Sequence, residues 1–414
     1  MKSTVYFFAV LFLAVFADAA STKAVVVTTF LCNGNSFLRI GSCPNGGRPI
    51  SLIQASDGNF YGAAQVSMEG SSAPTGGNVF SLTPEGKFTV LHTFLPGPGN
   101  DYPNGNLPGL LTEGPDGKLY GDTLYGGIGG CNGYCGDGLL YRVNKDGSGF
   151  EVVHKFCSEA NCADGLDGYG ALVLGTDHNL YGTTYYGGTS QQGTLFRLSA
   201  ARGYEVVENF SFATIGENPS ALIVARDGTF YGTSASVTGE LLFHYTVASG
   251  DFQTVVLNFP LFNGLPSRGG DLTLGANGNF YGRYSIYGHS GEGLFEVEPD
   301  GTNLQLFPFY TNEDGAGEPD GLLLTSDGNF LMADYVGGGQ SQGSIIRLSP
   351  MDGSLMGTIT PFSPNQPVGS NPPVIIQAQD GTIWGTTNFY GVHGQDQFAD
   401  GTVYNLNLGL PPTR

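Results

Sequence analysis

The chain is built from short segments in which apolar and polar residues alternate, and Gly, Asp and Asn separate these segments. Residues 194–198, Thr-Leu-Phe-Arg-Leu, and residues 402–406, Thr-Val-Tyr-Asn-Leu, are two examples. A period of two over a few residues, bounded by turn-forming residues, is typical of β-strands. Because no stretch shows a convincing helical period, the pattern predicts an all-β protein.

One phrase recurs along the chain: a tight turn, then an aromatic or apolar pair, then Gly. At residues 177–182 it reads Asp-His-Asn-Leu-Tyr-Gly, and all six other copies have Gly in place of His. Asp-Gly and Asn-Gly favour positive φ and make tight hairpin turns. The seven copies lie 50 to 61 residues apart and begin at Asp57, Asp116, Asp177, Asp227, Asn277, Asp327 and Asp380.

Each copy lies in a unit of four strand-like segments, labelled A to D in chain order. The repeated turn joins A to B, a Gly-rich loop joins B to C, and a second tight turn joins C to D. Four antiparallel strands in about 50 residues make one blade of a β-propeller. The sequence thus predicts a single seven-bladed β-propeller over residues 21–414, in preference to a β-sandwich or an open solenoid.

The two ends of the chain predict how the ring closes. Strand D ends in Phe in six units, whereas the seventh unit stops at its strand C, residues 401–406. Residues 24–30, Ala-Val-Val-Val-Thr-Thr-Phe, have the pattern of the missing strand D. We therefore expect the N-terminal strand to complete the last blade, which removes the edges that a linear array would expose.

Residues 1–20 have the features of a secretory signal peptide: Lys2, an apolar run over residues 5–16, and a small-residue cleavage site. This apolar run is too short to span a bilayer, and no later segment is long and apolar enough to do so. The C-terminal residues do not have the pattern of a lipid-anchor signal. The expectation is a soluble protein that is secreted and extracellular.

Six cysteines fall into three close pairs along the chain. In a secreted protein, an even number of cysteines in local pairs predicts three small disulfides. The spacings do not give the C-x-x-C pairs of a zinc site, so no metal centre is expected. The predicted disulfides join Cys32 to Cys43, Cys131 to Cys135, and Cys157 to Cys162.

The formal net charge of −20 narrows the range of partners. Nucleic acids and anionic membranes are bound through basic patches, so neither is expected as a partner. The sequence contains no P-loop or EF-hand loop, and no cofactor is predicted. Acidic loops at residues 163–168 and 312–320 are candidates for calcium, although such loops are expected on any chain with this charge.

The repeat as a whole resembles the GloVer tandem repeat. The most similar copy is Asp-His-Asn-Leu-Tyr-Gly-Thr-Thr-Tyr-Tyr-Gly-Gly at residues 177–188, followed by Gly-Thr-Leu-Phe-Arg-Leu at residues 193–198. The resemblance covers nearly the whole mature chain and implies an extracellular, propeller-like protein. Its motifs are structural, so it implies no catalytic residues. Many bacterial members carry a C-terminal anchor, which this sequence does not show.

The connections between strands indicate where a ligand site lies. The A–B and C–D turns are short and share one edge of the ring, the turn rim. The B–C loops and D–A crossovers are long, contain all six cysteines and share the opposite edge, the loop rim. Because loops on a rigid framework usually carry function, we place the site on the loop rim.

Tyrosines are the first group of candidate ligand-binding residues on this rim. Five of them follow the motif Gly position by three to five residues, where they are expected to surround the central opening. Tyr presents a flat apolar face and a hydroxyl, which suits stacking against sugars; the alternative is that each packs against the neighbouring blade. The five are Tyr125, Tyr186, Tyr287, Tyr335 and Tyr390.

Departures from the repeat are the second group, since an asymmetric ligand needs residues that equivalent blades do not share. Asp122 and Arg283 stand where other blades have Thr or Ala, and Asp334 stands where Thr is common. His289 and His393 lie in B–C loops. The Asp residues of the repeated turns are interpreted as turn formers, because Asp before Gly bonds its own turn backbone.

We therefore predict a secreted propeller that binds a glycan or cell-wall polymer at the Tyr-rich loop rim without catalysis, with His393 among the binding residues. The alternative is a glycan-active enzyme at the same rim. In a polysaccharide lyase, Arg283 would neutralise a uronate carboxylate, with His289 or Tyr287 as the base. In a glycoside hydrolase, Asp122 and Asp334 would form the carboxylate pair, about 5–10 Å apart. A protein partner is a further alternative.

Overall fold

The structure is a computed structural model, and it confirms the predicted all-β propeller of seven four-stranded blades. The residues that it describes are 24–30, 33–35, 40–42, 47–65, 76–97, 102–127, 137–237, 239–259, 261–262, 265–286, 292–309, 319–334, 343–350, 353–362, 372–388 and 401–413. Within each blade the four strands are antiparallel and hydrogen-bonded in the order A-B-C-D.

The first three blades have the following strands. Blade one consists of Gly47–Gln54, Phe60–Gln65, Asn78–Leu82 and Phe88–Thr93. Blade two consists of Asn106–Glu113, Leu119–Tyr125, Leu139–Val143 and Glu151–Lys155. Blade three consists of Leu166–Leu174, Leu180–Tyr186, Thr194–Ser199 and Gly203–Asn209.

The remaining blades continue the order around the ring. Blade four consists of Ile223–Val224, Phe230–Ser236, Gly239–Thr246 and Asp251–Leu257. Blade five consists of Leu265–Leu274, Phe280–Ile286, Glu292–Val297 and Gln305–Phe309. Blade six consists of Pro319–Leu324, Phe330–Asp334, Ser344–Leu348 and Leu355–Pro361. Blade seven consists of Val374–Gln377, Ile383–Thr387, Thr402–Leu406 and Val25–Thr29.

A few elements lie outside the blade sheets. Asn33–Asn35 and Ile40–Ser42 form a small hairpin, Leu261–Phe262 pairs with the start of strand A in blade five, and Ala160–Cys162 is a 3₁₀ turn. Within the described ranges, no helix has the length and hydrophobicity needed to traverse a bilayer.

The N-terminal strand completes blade seven, as predicted. It pairs antiparallel with strand C, with Val26 opposite Tyr404 and Thr29 opposite Thr402. The Phe30 amide donates to the Gly401 carbonyl at 3.1 Å. The same bond ends strand D in other blades, with N–O distances of 3.0 to 3.1 Å, from Phe94 to Gly77, Phe156 to Gly138, Phe210 to Gly193 and Phe362 to Gly343.

The Gly of the repeated phrase is required by a close contact within the blade. Gly182 lies opposite Phe196 on strand C, and a Cβ atom on Gly182 would come within 2.6 Å of the Phe196 ring. Five other blades pair Gly with an aromatic ring: Gly62 with Phe80, Gly121 with Tyr141, Gly232 with Phe243, Gly282 with Phe295, and Gly385 with Tyr404. In blade six the pair is Met332 with Ile346, so a smaller strand C side chain accompanies the larger residue on strand B.

The Asp and Tyr of the phrase are also joined to each other. Asp57 accepts a bond from the Asn59 amide at 3.1 Å through one oxygen and from the Tyr61 hydroxyl at 2.8 Å through the other. Asp177 and Tyr181 repeat the second bond at 2.8 Å. The Tyr61 ring packs into a core cluster with residues of blade two. These contacts agree with the interpretation of the motif Asp as a turn former and of the aromatics as packing between blades.

Gly182→Ala is expected to destabilise the protein by about 1–3 kcal/mol, because the added methyl group overpacks the contact with Phe196. Adding Phe196→Leu to the same chain should recover part of this loss, as Ile346 does for Met332. Urea denaturation of Gly182→Ala, of Phe196→Leu and of the double variant measures the coupling free energy between the two positions. Strictly additive effects would contradict the proposed contact.

Phe30→Ala tests the closure of the ring, because Phe30 is 1% exposed and packs with Phe80 and Phe88 from blade one. Removal of a buried Phe side chain typically costs about 3–5 kcal/mol. Val25→Ala on the same strand is the control, since Val25 is 59% exposed and should cost little. Equal unfolding midpoints for both variants in urea would argue against the closure.

Candidate functional site

The loop rim of blade three presents a run of three tyrosine rings. Tyr185 and Tyr186 end strand B, and their ring centroids lie 4.8 Å apart at an interplanar angle of 85°. Tyr169, on strand A, lies 5.6 Å from Tyr185. Tyr169 is 40% exposed and Tyr186 is 45% exposed. These three residues are called the aromatic ladder.

Hydrogen bonds between neighbouring loops hold the ladder in place. The Asn218 side chain, from the crossover into blade four, donates to the Tyr185 carbonyl at 2.9 Å. Its backbone amide donates to the Gln192 carbonyl, also at 2.9 Å. The B–C loop of blade three is fixed further where the Thr189 amide donates to Asn209 Oδ1 at 2.8 Å. A rigid platform of this kind lowers the entropy lost when a ligand binds.

The crossover from blade two to blade three is closed by the predicted disulfide between Cys157 and Cys162. The buried Asp164 carboxylate accepts bonds from the Ser158 amide and hydroxyl, at 3.0 and 2.6 Å, and from the Glu159 amide at 3.1 Å. Burial alone would raise the pKa of Asp164, but these bonds outweigh it and hold that pKa below its usual value. The crossover is therefore anchored both covalently and by a buried charge.

His154 connects this crossover to the outer strands. Its Nε2 atom lies 3.1 Å from Asp164 Oδ2, and its ring stacks on Tyr204 with centroids 3.6 Å apart. The Tyr204 hydroxyl donates to the Asp164 carbonyl at 2.6 Å. Burial lowers the pKa of His154, and the nearby Asp164 carboxylate offsets part of that effect. His154 therefore packs blade two against blade three.

Two further carboxyl groups lie on the loop rim between blades two and three. Burial raises the pKa of Asp167, and the negative charge of Asp137 adds to the shift. Burial likewise raises the pKa of Asp137, with a contribution from Asp164. In the described part of the chain, the single group that brings three potential metal ligands together is Asp137, Cys157 and Cys162, and its two cysteines form the disulfide.

Asp122 lies inside the protein, between blades two and three. Its side chain is 8% exposed, and it lines a cavity of about 10 Å³ together with Leu110 and Tyr169, which is room for about one water molecule. Burial raises the pKa of Asp122 to about 7, and the charge of Asp167 adds to the shift. Gly168 leaves room for the Asp122 carboxylate, because a Cβ atom at position 168 would come within 2.8 Å of that carboxylate.

The structure does not bring the two predicted hydrolase carboxylates into neighbouring blades. Asp122 is in strand B of blade two and Asp334 ends strand B of blade six. The cavity at Asp122 is also too small for a sugar unit. This placement gives no support to the hydrolase pair.

Arg283 lies on strand B of blade five with its side chain exposed. The Asp271 carboxylate, on strand A of the same blade, accepts a bond from the Ala221 amide at 3.1 Å. Desolvation between the inner strands raises the pKa of Asp271, although part of its surface is exposed, and the positive charge of Arg283 opposes the shift. The two side chains therefore interact electrostatically.

Of the remaining predicted residues, Tyr125 lies within the described part of the chain, whereas nine others lie outside it. Tyr125 ends strand B of blade two, is half-buried, and accepts a bond from the Thr123 hydroxyl at 2.9 Å through its carbonyl. Outside the described residues lie Tyr287, His289, Tyr335, Tyr390, His393, Cys32, Cys43, Cys131 and Cys135.

Tyr169 and Tyr185 belong to the ladder but were not predicted as site residues. Tyr185 directly precedes Tyr186 in a Thr-Thr-Tyr-Tyr-Gly-Gly segment, so adjacent aromatics were an available signal. Tyr169 lies between two glycines on strand A, where the pairing with strand B shifts register. The contact between Tyr169 and Tyr185 depends on this pairing of strands A and B, which the sequence pattern does not reveal.

The seven four-stranded blades and their repeated Asp–Tyr turn define a β-propeller repeat protein. The chain belongs to the Gloeobacter/Verrucomicrobia repeat family, whose model matches residues 11–240. This confirms the family suggested by the resemblance to the GloVer repeat. No curated protein matches the sequence.

Solved structures with a similar fold include several propellers. A catalytically inactive variant of virginiamycin B lyase from Staphylococcus aureus, with quinupristin, has a TM-score of 0.54 at 14% identity, covering 88% of this chain and 96% of that one. Oligogalacturonate lyase from Vibrio parahaemolyticus has a TM-score of 0.52 at 13% identity, covering 94% of each chain. The extracellular domain of a proposed one component system from B. thetaiotaomicron has a TM-score of 0.55 at 11% identity, covering 93% of this chain and 41% of that one. At such low identity, the likeness shows the fold alone.

Asp122→Asn is expected to change how stability depends on pH. The carboxyl has a pKa of about 7 in the folded protein and about 3.8 as a free side chain, so folding takes up a proton between these values. The wild type should therefore lose stability as the pH rises from about 4 to 7. Asp122→Asn should reduce this slope and be the more stable protein at pH 8.

Urea denaturation across pH 4–8 measures the effect. Asp251→Asn is the matched control, because Asp251 is exposed at the start of strand D in blade four. Parallel stability profiles for the wild type and Asp122→Asn would contradict the raised pKa.

Proposed function

We propose that this protein is secreted and binds a neutral glycan or cell-wall polymer, without catalysis, across the aromatic ladder on the loop rim. The observation that carries the proposal is the ladder itself: two well-exposed tyrosine rings joined through a third on hydrogen-bonded loops. Sugar rings present apolar C–H faces to aromatic surfaces, while tyrosine hydroxyls bond sugar hydroxyls.

The distribution of charge supports a neutral ligand. The chain carries a net charge of −20, and Asp137, Asp164 and Asp167 lie on the rim between blades two and three. A polyanion would be repelled there, whereas carboxylates accept hydrogen bonds from the hydroxyl groups of a neutral sugar. The ladder and the carboxylates together suit a neutral polysaccharide.

The disulfide between Cys157 and Cys162 supports secretion, because disulfides persist in oxidising compartments. It lies in the crossover that enters blade three, the blade that carries the ladder. A pinned crossover keeps the surface beside the ligand in one shape, which favours affinity through preorganisation.

A polysaccharide lyase is the alternative, with Arg283 as the cation and His289 or Tyr287 as the base. The exposed position of Arg283 allows contact with a substrate. Its interaction with Asp271 weakens the case, because a uronate would compete with a carboxylate already present. The geometry therefore favours binding over elimination.

Tyr186→Ala should weaken binding to a recognised polysaccharide about two- to tenfold, since a lost stacking contact is worth roughly 0.5–1.5 kcal/mol. Tyr169→Ala should have a similar effect, measured by a glycan array followed by calorimetry. Leu174→Ala is the matched control, because Leu174 is also 40% exposed and on the same strand as Tyr169, but at its turn-rim end.

The same polysaccharides are to be assayed for new reducing ends and for absorbance at 235 nm. Unchanged binding by both tyrosine variants would refute the ladder as the site. New ends with absorbance at 235 nm, lost in Arg283→Ala, would establish the lyase alternative.

A further inference from the structure

A second concave site lies on the opposite edge of the ring, at the turn rim between blades two and three. It is a cleft of about 270 Å³, close to the lower end of the range for small-molecule sites. Blade two contributes Tyr120, Arg142 and Glu151, and blade three contributes His178, Leu198 and Ala200. We call it the turn-rim cleft.

Ala200 explains why this groove is open. The equivalent residue of blade two is Lys145, which reaches across the groove between blades one and two. There its ammonium lies 2.6 Å from Glu113 and 3.9 Å from Asp57, and 5.9 Å above the Tyr61 ring. Ala200 is too short to cover Tyr120 in the same way.

The next groove is also filled. Between blades three and four, the residue equivalent to Ala200 is Val247, which packs against a core cluster containing Tyr181 and Tyr245. Tyr245 lies opposite Phe230, at the position that Leu198 occupies opposite Leu180 in blade three. Smaller side chains at two positions of blade three therefore leave the turn-rim cleft.

In the groove between blades five and six, a backbone carbonyl takes the place of a covering side chain. Here the residue equivalent to Ala200 is Pro350, whose carbonyl accepts a bond from the Tyr281 hydroxyl at 3.1 Å. The opening between blades two and three is thus a property of blade three and not of the repeat.

His178 is a second departure from the repeat at the same place. The other six copies of the turn have Gly at this position, with φ between 75° and 91°. His178 has a φ of 61°, a conformation that is unfavourable for a residue with a Cβ atom. Its side chain is exposed and lines the cleft. Backbone strain retained without a packing benefit is typical of functional positions.

The charged groups of the cleft already have partners. Arg142 donates to Glu151 Oε2 through Nε at 2.9 Å and Nη2 at 2.7 Å. Asp116 accepts a bond from Tyr120 at 3.1 Å and lies 3.7 Å from Lys118. With each carboxylate matched by a cation, the cleft favours an uncharged ligand. The carboxylates keep further acceptor capacity, and His178 adds a donor or acceptor.

The lining also includes aliphatic side chains, among them Val153, Leu180 and Leu198. A ligand must therefore present an apolar face on one side and several hydroxyl groups on the other. We propose that the turn-rim cleft binds a neutral, polyhydroxylated ring of monosaccharide size. This is a second binding site, independent of the aromatic ladder and on the opposite face of the propeller.

The test is saturation-transfer NMR and calorimetry on the full protein with glucose, galactose, mannose, N-acetylglucosamine and rhamnose. Ala200→Lys introduces the residue type found at Lys145 and should abolish the sugar binding that persists in the Tyr186→Ala background, where the ladder is weakened. Ala201→Lys is the matched control, because it adds the same charge at the neighbouring exposed residue, which does not line the cleft.

His178→Gly gives a second readout that a purely structural role would not produce. Restoring Gly should raise the melting temperature by removing the unfavourable φ, while weakening sugar binding about tenfold. All binding measurements on the cleft variants are made in the Tyr186→Ala background, which separates the cleft from the ladder. The proposal is overturned if no sugar of the panel binds the wild type, if Ala200→Lys binds as well as Ala201→Lys, or if His178→Gly keeps full affinity.

Discussion

The close contact between the motif Gly on strand B and a ring on strand C is the constraint on which the rest of the propeller depends. With no side chain on strand B, the ring of strand C occupies the space over the glycine, as Phe196 does over Gly182. The same contact recurs in six of the seven blades, which gives them the same packing within the ring. Blade six satisfies the same volume requirement in reverse, with Met332 opposite Ile346.

Once the blades are packed in this way, the exposed features that distinguish them lie on the two rims. On the loop rim, bonds between adjacent crossovers and the disulfide of Cys157 and Cys162 hold an exposed aromatic surface in place. In the four turn-rim grooves compared above, the residue of the C–D turn equivalent to Ala200 either helps to cover the groove to the preceding blade or leaves it open. Lys145 covers one groove, whereas Ala200 leaves the next one open. Exposed variation between the blades lies at these edges because the faces are occupied by packing.

The positions of the carboxylate groups explain how the fold tolerates the acidic composition. Most motif carboxylates are solvated in turns and bonded to backbone amides, as Asp57 is. Asp122 differs from them, because it is buried between blades two and three with its pKa raised to about 7. Its neighbours leave space for its carboxylate but not for a sugar. A carboxyl group with a shifted pKa is therefore not, by that fact, a catalytic group in this protein.

The sequence by itself determined the strand order, the blade count and the ring closure, because each depends on local patterns: a period of two, a turn phrase repeated seven times, and a strand D that ends in Phe30. It also indicated the pair Cys157 and Cys162, which lie close along the chain. Tertiary structure decided which side chains of different blades meet. The pairing of strands A and B brings Tyr169 within 5.6 Å of Tyr185, and the cleft beneath Ala200 is open because Ala200 is shorter than the equivalent Lys145. These features depend on contacts between residues far apart in the chain, which a local pattern does not encode.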